Sequence, residues 1–166
     1  MPTETEKFVL FYRDPGSNWF PAPFAHYGHR FDNSEQAFMW HKAQVFRDIN
    51  TAHEIIKQGS DPRIAKRLAR KVRNYDEKLW ASIRYQIMLL VNIDKFSQNP
   101  ALCEEFLFAF PGKRFVEASP YATVWGIGLS ESDRRAEESE NWRGQNLLGK
   151  VLDEVRDLLI GRVTER

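Results

Sequence analysis

The chain has 166 residues, 42% of them hydrophobic and 13% aromatic, and its formal net charge is +1. This length suffices for one ordinary domain with a buried core, and the composition excludes a disordered or fibrous chain. The nearly balanced charge gives no overall signal for a nucleic-acid or membrane partner, and no apolar run has the length of a membrane span.

Strand patterns are few and short. Residues 8–12 form an apolar run that ends at the turn signal Asp14-Pro15-Gly16, which predicts a buried strand. Residues 15–33 are aromatic but rich in Pro, Gly and Asn, and we expect an ordered loop with one more short strand. A further strand is predicted at 115–117, and residues 131–140 read as an acidic, exposed loop.

Helices are predicted along most of the remaining chain. Asn33 can cap a helix with Gln36 three residues on, as in a capping box. Asp61-Pro62 and Asn99-Pro100 each place a cap residue before a proline at the first helical position. A long core helix ending near Lys95 and a closing amphipathic helix follow from apolar residues at helical spacing. These are Leu79, Trp80, Ile83, Ile87, Leu90 and Val91, and then Leu147, Leu148, Val151, Val155, Leu158 and Leu159.

Together these patterns predict one domain over residues 1–166, mainly α-helical with a few short strands. Cys103 is the only cysteine, so no internal disulfide forms and a reducing compartment is expected. Residues 1–7 lack the basic and apolar features of a signal peptide. We therefore expect an intracellular, cytoplasmic protein, although the sequence does not exclude the nucleus, and it gives no oligomeric state.

The first predicted helix carries a carboxylate and an amine on one face. At about 100° and about 1.5 Å per residue, Glu35 and Lys42 differ by about 20° around the axis and lie roughly 10 Å apart along it. Phe38, Trp40 and other apolar neighbours would make either charge unusual. Two unrelated surface charges are the simpler interpretation of this segment alone.

Three other patterns carry less chemistry. His26 and His29 are spaced like metal ligands but have no nearby Cys, Asp or Glu partner, so no metal site is predicted. Residues 144–150 match the Gly and Lys positions of a phosphate loop but end in Val151 rather than Ser or Thr. Gly126-Ile127-Gly128 lacks the third glycine of a dinucleotide fingerprint.

The helix after Asp61 has a basic stripe, formed by Arg63, Lys66, Arg67, Arg70 and Lys71. Their spacing places all five on one side of the helix, which suits binding to phosphates. A solvated surface without a ligand is the alternative.

Several segments, taken in order, resemble the NADAR/YbiA family over nearly the whole chain. In the first half they are Asn18 with Phe20, residues 34–36 and 42–43, and residues 65–70. In the second half they are Glu117-Ala118-Ser119-Pro120-Tyr121, Trp125-Gly126-Ile127-Gly128 and residues 142–149.

The resemblance implies a compact helical YbiA-like domain that hydrolyses N-glycosidic bonds without a cofactor. Two substrate classes are implied: ADP-ribose attached to guanine, on a nucleotide or on single-stranded DNA, and the ribosylamino-pyrimidine phosphates of riboflavin synthesis. Both carry ribose on an exocyclic amine. Such an aminal opens to an imine, which a neutral lysine can exchange for its own Schiff base.

Lys42 matches the family lysine and Glu35 the carboxylate of the same motif. We expect Lys42 to be the nucleophile and Glu35 to shuttle protons, although an ionised Glu35 nearby would oppose the neutral lysine. In an alternative without covalent chemistry, Glu35 assists water and Lys42 only binds.

The resemblance also fails at one catalytic position. Family members usually carry an aspartate where this chain has Ala122, which suggests either a disabling substitution or a natural variant. The remaining matched positions are expected to contact substrate: Asn18, Phe20, Trp40, Tyr121, Trp125, Gly126, Ile127, Gly128, Trp142, Asn146 and Gly149. Asn146 would orient a hydroxyl or use the N-terminus of the last helix to bind phosphate.

The leading expectation is an N-glycosyl hydrolase that removes ADP-ribose from guanine, because the basic stripe favours a phosphate-rich substrate. A glycosidase of riboflavin intermediates and a non-catalytic ADP-ribose reader are the alternatives.

Overall fold

Helices dominate the structure, a computed structural model that describes residues 1–164. The α-helices in that range are α1 (Ser34–Val45), α2 (Ile49–Gln58), α3 (Pro62–Ala69), α4 (Glu77–Ser97), the short α5 (Pro100–Leu102) and α6 (Leu147–Thr164). A π-helical turn spans Cys103–Leu107, and two 3-10 turns span Arg134–Glu137 and Ser139–Asn141. The strands are β1 (Thr3–Glu4), β2 (Phe8–Phe11), β3 (Phe24–His26), β4 (His29–Phe31) and β5 (Arg114–Glu117). The predicted fold class, mainly α with a few short strands, is confirmed.

The chain divides into two units, and each has its own packing. One unit is Asn18–Asn99, and the other combines Met1–Ser17 with the chain from Pro100 onward. The single domain predicted for 1–166 stays a prediction, and its last two residues lie outside the described range. None of the helices within residues 1–164 combines the length and apolar character that crossing a membrane requires.

In the unit Asn18–Asn99, α1 begins as the sequence predicts but with only half of a capping box. The side-chain oxygen of Asn33 accepts a hydrogen bond from the Gln36 N–H at 2.9 Å. The Gln36 side chain does not return to Asn33. Its oxygen accepts from the Asp32 N–H, and its nitrogen donates to the Ile55 carbonyl of α2. Gln36 therefore ties α1 to α2, which the local motif could not indicate.

Helix α4 buries only part of the predicted stripe. The predicted core residues Trp80 and Val91 are buried, together with Met88, whereas the predicted core residues Leu79 and Leu90 are 45% and 43% exposed. Residues 80 and 91 lie about 20° apart around the axis, and 79 and 90 lie about 100° away from them. The buried stripe thus passes beside these two leucines. The helix ends at Ser97, two residues beyond the predicted end.

A β-hairpin occupies the loop in which one short strand was expected. Strands β3 and β4 pair antiparallel, with His26 opposite His29, so Tyr27-Gly28 form a two-residue turn. Both turn residues have positive φ, 50° and 77°, as a type I′ turn requires. The hairpin is held to α4 and α1 by His26, whose Nδ1 lies 2.5 Å from Asp94 and whose Nε2 lies 2.6 Å from His41 Nε2.

The predicted cap at Asn99 is wrong, because this side chain serves the preceding helix. Its amide nitrogen donates to the carbonyls of Lys95 and Pro23. The helix that begins at Pro100 consequently has no asparagine cap and runs only three residues before the π-helical turn.

The other unit is built on a three-stranded sheet in the order β1-β2-β5. Strand β2 is fully buried and pairs parallel to β5, with Phe8 opposite Arg114. Helix α6 packs on β5, and the Asp153 side chain accepts a hydrogen bond from the Phe115 N–H. The predicted strand at 8–12 and the predicted closing helix are both present.

Candidate functional site

Helix α1 carries a buried carboxyl group at Glu35. This side chain is only 8% exposed and makes no hydrogen bond or ion pair within residues 1–164. Burial raises the pKa of Glu35 to about 7, and the positive charge of Lys66 on α3 opposes this rise. A carboxyl group that is half protonated near neutral pH can both donate and accept a proton.

Lys42 lies two turns further along α1 and is half-buried. Burial lowers the pKa of Lys42; Glu77 opposes this effect and Arg70 adds to it. The ammonium nitrogen lies 4.5 Å from the centre of the Tyr75 ring. The Tyr75 hydroxyl in turn donates to Glu77, and burial together with that carboxylate raises the pKa of Tyr75 to about 12. Lys42 is thus an amine whose neutral form is favoured by its surroundings.

The two groups are not each other's electrostatic partners. The charge that acts on Glu35 is Lys66, and the charges that act on Lys42 are Glu77 and Arg70. The opposition expected from the sequence, in which an ionised Glu35 keeps Lys42 protonated, is therefore not a cause of either pKa. Burial favours the neutral form of both the carboxyl group and the amine on this face of α1.

Two buried polar atoms beside Glu35 lack partners. Asn18 is 7% exposed and Ser34 is fully buried, yet the Asn18 amide oxygen and the Ser34 hydroxyl have no hydrogen-bond partner among the described residues. The Asn18 carbonyl accepts from the Glu35 N–H at 3.0 Å, which places Asn18 at the first turn of α1. Each buried polar atom that lacks a hydrogen bond costs about 1–3 kcal/mol of stability. A hydroxyl-rich ligand would supply the missing hydrogen bonds.

The predicted aromatic contacts of this unit have different surroundings. Trp40 is buried and packs against Phe31 and His29, with ring centres 5.6 and 5.3 Å away. Phe20 is partly exposed in the loop before the hairpin. We call Asn18, Ser34, Glu35 and Lys42 the reactive face of α1.

In the other unit, residues 122–128 fold against the start of α6. The N–H groups of Gln145, Leu147 and Leu148 donate to the carbonyls of Thr123, Val124 and Trp125. The Asn146 N–H donates to Gly126, and the Arg143 N–H to Ile127. Most N–H groups at the N-terminus of α6 therefore already donate to loop carbonyls, and the phosphate binding expected of it stays a prediction. We call residues 122–128 with 142–149 the loop–helix junction.

Three of the predicted binding residues hold this junction together. Asn146 is in the left-handed region; its side chain accepts from the Glu117 N–H and donates to the Phe115 carbonyl, each at 3.0 Å. A Cβ on Gly149 would collide with the same Phe115 carbonyl, so only glycine lets α6 approach β5. Trp142 donates its indole N–H to the Ala136 carbonyl and packs on Phe8. Their roles toward a substrate stay predictions.

The remaining predicted residues of this unit differ in exposure. Tyr121 is 86% exposed, whereas Ile127 is fully buried in the apolar core. Trp125 and Ala122 are partly exposed, and the Ala122 carbonyl accepts from the Gly128 N–H at 3.0 Å. Gly128 has φ of 71°, so its place in this turn favours glycine.

No group of three or more His, Cys, Asp and Glu side chains within residues 1–164 is arranged to hold a metal ion. His26 of the hairpin already contacts Asp94 of α4 and His41 of α1 through its two ring nitrogens. Burial, with the neighbouring charge of His26, lowers the pKa of His41 to about 4.

Comparison with known proteins assigns the chain to a family. The NADAR domain model matches residues 10–160. The chain belongs to the NADAR family. In solved structures it is similar to the NMR structure of the Escherichia coli protein YbiA, with a TM-score of 0.77 and 27% sequence identity, over 99% of this chain and 92% of that one.

Three relatives are informative for this NADAR chain. It is 43% identical to protein irg-1 of Caenorhabditis elegans, over 78% of this chain and 61% of that protein, so it spans less than two thirds of irg-1. It is 37% identical to N-glycosidase R617 of Acanthamoeba polyphaga mimivirus, over 93% and 97% of the two chains. It is 27% identical to the riboflavin biosynthesis protein VVA0006 of Vibrio vulnificus, over 86% of this chain and 35% of that protein.

The NADAR motifs did not indicate every residue that shapes the reactive face. Lys66 and Arg70 were predicted only as part of a basic stripe, and the structure brings their charges to bear on Glu35 and Lys42. Tyr75 and Glu77 were not predicted at all. They precede or begin α4. The contact of the Tyr75 ring with Lys42 and the effect of the Glu77 charge on it depend on how α4 packs on α1, for which the sequence holds no local signal.

Proposed function

We propose that this chain hydrolyses the bond between ribose C1 and an exocyclic base amine, with ADP-ribosylated guanine as its substrate. The reaction class is that of a hydrolase of N-glycosyl bonds. It rests on the NADAR assignment and on the name of N-glycosidase R617, a relative that aligns with this chain over nearly its whole length. The guanine substrate is the finer part of the proposal.

The observation that carries the mechanism is the burial of an acid and an amine on one helix face. Glu35 has a pKa of about 7 and Lys42 a lowered pKa, and burial is the largest cause of both. The surroundings of both groups therefore favour the neutral form more than water does. That combination suits a reaction needing a proton donor and a nitrogen nucleophile.

The steps follow from the chemistry of the aminal. Glu35 protonates the ring oxygen as the amine lone pair breaks the bond from C1 to that oxygen, which gives an open-chain iminium. The Lys42 amine adds to C1; a proton then moves to the base amine, and the bond from C1 to the base amine breaks. The resulting Schiff base on Lys42 is hydrolysed by water, which frees the amine and the sugar aldehyde.

Ribose hydroxyls fit the unpartnered atoms on the same face. The Asn18 amide oxygen accepts hydrogen bonds, and the Ser34 hydroxyl donates and accepts them. A sugar bound at this face would relieve the cost of leaving both atoms buried without partners.

A second substrate class is supported by the name of one relative. The Vibrio protein is named for riboflavin biosynthesis, and the pyrimidine intermediates of that synthesis also carry ribose on an exocyclic amine. The proposed steps would act on them unchanged, so substrate comparison must separate the two.

Ala122 supplies the test. The parent chain and its Ala122→Asp variant are compared on an oligonucleotide that carries ADP-ribosyl-guanine, with released ADP-ribose measured by chromatography. We expect at least about tenfold faster release by the variant, because the resemblance to the family implies a catalytic carboxylate at this position, and such a group contributes about 10²-fold or more when it transfers a proton.

If neither protein releases ADP-ribose, while circular dichroism shows that both are folded, the guanine substrate is refuted. The same comparison would then be made with ribosylamino-pyrimidine phosphates. Tight ADP-ribose binding without turnover in either protein would instead support a reader of ADP-ribose.

A further inference from the structure

Helix α3 places two cations beside the reactive face of α1. Ala65 and Ala69, four residues apart, are buried where α3 packs against its neighbours α1 and α2. Lys66 and Arg70 each follow one of these alanines, so they share one side of α3 and lie about 6 Å apart along its axis. Both side chains are exposed. The charge of Lys66 reaches Glu35, and that of Arg70 reaches Lys42.

Among the described residues these two cations lack acidic partners, as do Arg67 and Lys71 of the same stripe, whereas two other arginines nearby are paired. Arg63 forms an ion pair with Asp61 at 2.8 Å, and Arg73 forms one with Asp48 at 3.6 Å. No carboxylate within residues 1–164 lies at ion-pair distance from Lys66 or Arg70. The predicted basic stripe is therefore neutralised only at Arg63, and of its remaining cations Lys66 and Arg70 are the two whose charges act on the reactive face of α1.

The other phosphate site considered from the sequence, the start of α6, has most of its N–H groups engaged. The backbone N–H groups of Gln145, Asn146, Leu147 and Leu148 donate to the carbonyls of residues 123–126. Lys66 and Arg70 instead offer charged donors of the kind that phosphate oxygens accept.

We propose that Lys66 and Arg70 bind the 5-phosphate of the ribose whose C1 reacts. The proposal rests on the proposed function, since it takes Glu35 and Lys42 as the reacting groups. ADP-ribose and the ribosylamino-pyrimidine phosphates differ in their bases and in the groups attached beyond the phosphate. Both nevertheless contain a ribose 5-phosphate with an amine at C1. Lys66 and Arg70, which we call the clamp, therefore serve either substrate class.

The clamp also links substrate binding to protonation. Lys66 and Arg70 each lower the pKa of their neighbour on α1. A bound phosphate offsets both charges, so the pKa values of Glu35 and Lys42 rise when the substrate binds. The carboxyl is then more fully protonated when a proton donor is needed, whereas the Lys42 amine is less often neutral, so the gain applies to protonation of the ring oxygen and not to the attack by Lys42.

Binding of a methyl riboside 5-phosphate to the full chain tests this, because its blocked C1 cannot form a Schiff base. Calorimetry compares the parent with Lys66→Met and Arg70→Met, and with Arg67→Met and Lys71→Met as matched losses of charge on the same stripe. We expect each clamp variant to weaken binding at least about tenfold, about 1.4 kcal/mol, and each control less than about twofold. Methyl riboside without phosphate should bind all five proteins equally.

A second readout separates binding from a structural role. NMR titration of Lys42 in the parent should show its pKa rising when the riboside phosphate is added. Arg70→Met should start from a higher pKa and show a smaller rise. Circular dichroism confirms that each variant is folded.

The outcomes distinguish this proposal from the proposed function. If the clamp and control variants bind the riboside phosphate equally, or if the parent does not bind it at millimolar concentration, the clamp is refuted whatever the parent hydrolyses. If the clamp variants lose the riboside phosphate but ADP-ribose does not bind the parent, the clamp stands and the guanine substrate falls.

Discussion

The reactive face of α1 and the loop–helix junction use their polar groups in opposite ways. On the reactive face, Glu35 is buried without a hydrogen bond, and the side-chain oxygens of Asn18 and Ser34 have no partner among the described residues. At the junction, the Asn146 amide is bonded at both its oxygen and its nitrogen, and the Trp142 indole N–H is bonded as well. Both regions carry family motifs, yet only one leaves its hydrogen bonds open.

The difference separates two reasons why a motif exists. Unmet polar atoms and shifted pKa values cost stability, and proteins keep them where a ligand or reaction uses them. Groups whose hydrogen bonds are all made, as at the loop–helix junction, stabilise the fold. They also hold exposed neighbours such as Tyr121 in position. Substitutions should therefore change activity at the reactive face and stability at the junction.

The largest expected effect is the loss of turnover in Lys42→Met. If Lys42 is the nucleophile, activity should fall about 10²- to 10⁴-fold while stability changes little, because the side chain is half-buried and makes no ion pair within residues 1–164. Reduction with cyanoborohydride in the presence of ADP-ribose should add one sugar to Lys42 in the parent, read by peptide mass.

The exposed Lys57→Met is the control, and it should keep both turnover and the adduct. An unmodified Lys42 in repeated trapping, with turnover intact, would favour direct attack by water and would leave Lys42 a binding role.

A gain of stability at neutral and higher pH is expected when Glu35 is replaced. The pKa of Glu35 is raised from 4.5 to about 7, so between these pH values the folded chain holds a proton that the unfolded chain releases. The free energy of unfolding therefore falls as pH rises through this window, by about 3 kcal/mol from this group. Glu35→Gln removes that loss.

The variant should match the parent near pH 4 and exceed it by about 3 kcal/mol at pH 8.5, while its turnover falls. Urea unfolding at several pH values measures this, with the exposed Glu105→Gln as control. A flat difference between parent and variant across pH would mean that Glu35 is ionised in the folded chain, and the proton-donor role would fail.

The sequence was sufficient to place Glu35 and Lys42 on one helix, but not to predict the contacts of the junction. The cap at Asn33 and the seven-residue spacing of Glu35 and Lys42 are local properties of one helix, so they could be predicted. The bond from Asn146 to Phe115 joins residues 31 apart in the chain, and it exists only because α6 packs on β5. Likewise, Tyr75 reaches Lys42 through the packing of α4, and the Tyr27-Gly28 turn depends on two positive φ values that composition alone did not indicate.

The smallest expected effect tests the junction directly. Asn146→Ala removes both side-chain hydrogen bonds to β5 and places alanine at a φ of 53°, so we expect the free energy of unfolding to fall by about 2 kcal/mol. Asn146→Gly loses the same hydrogen bonds without the cost of a left-handed alanine, and it should recover up to about 1 kcal/mol. Turnover per folded molecule should stay within about threefold in both, because neither hydrogen bond concerns the reactive face. Unchanged stability with turnover reduced a hundredfold would reverse the comparison and make Asn146 a substrate-binding residue, as its place in the motif first suggested.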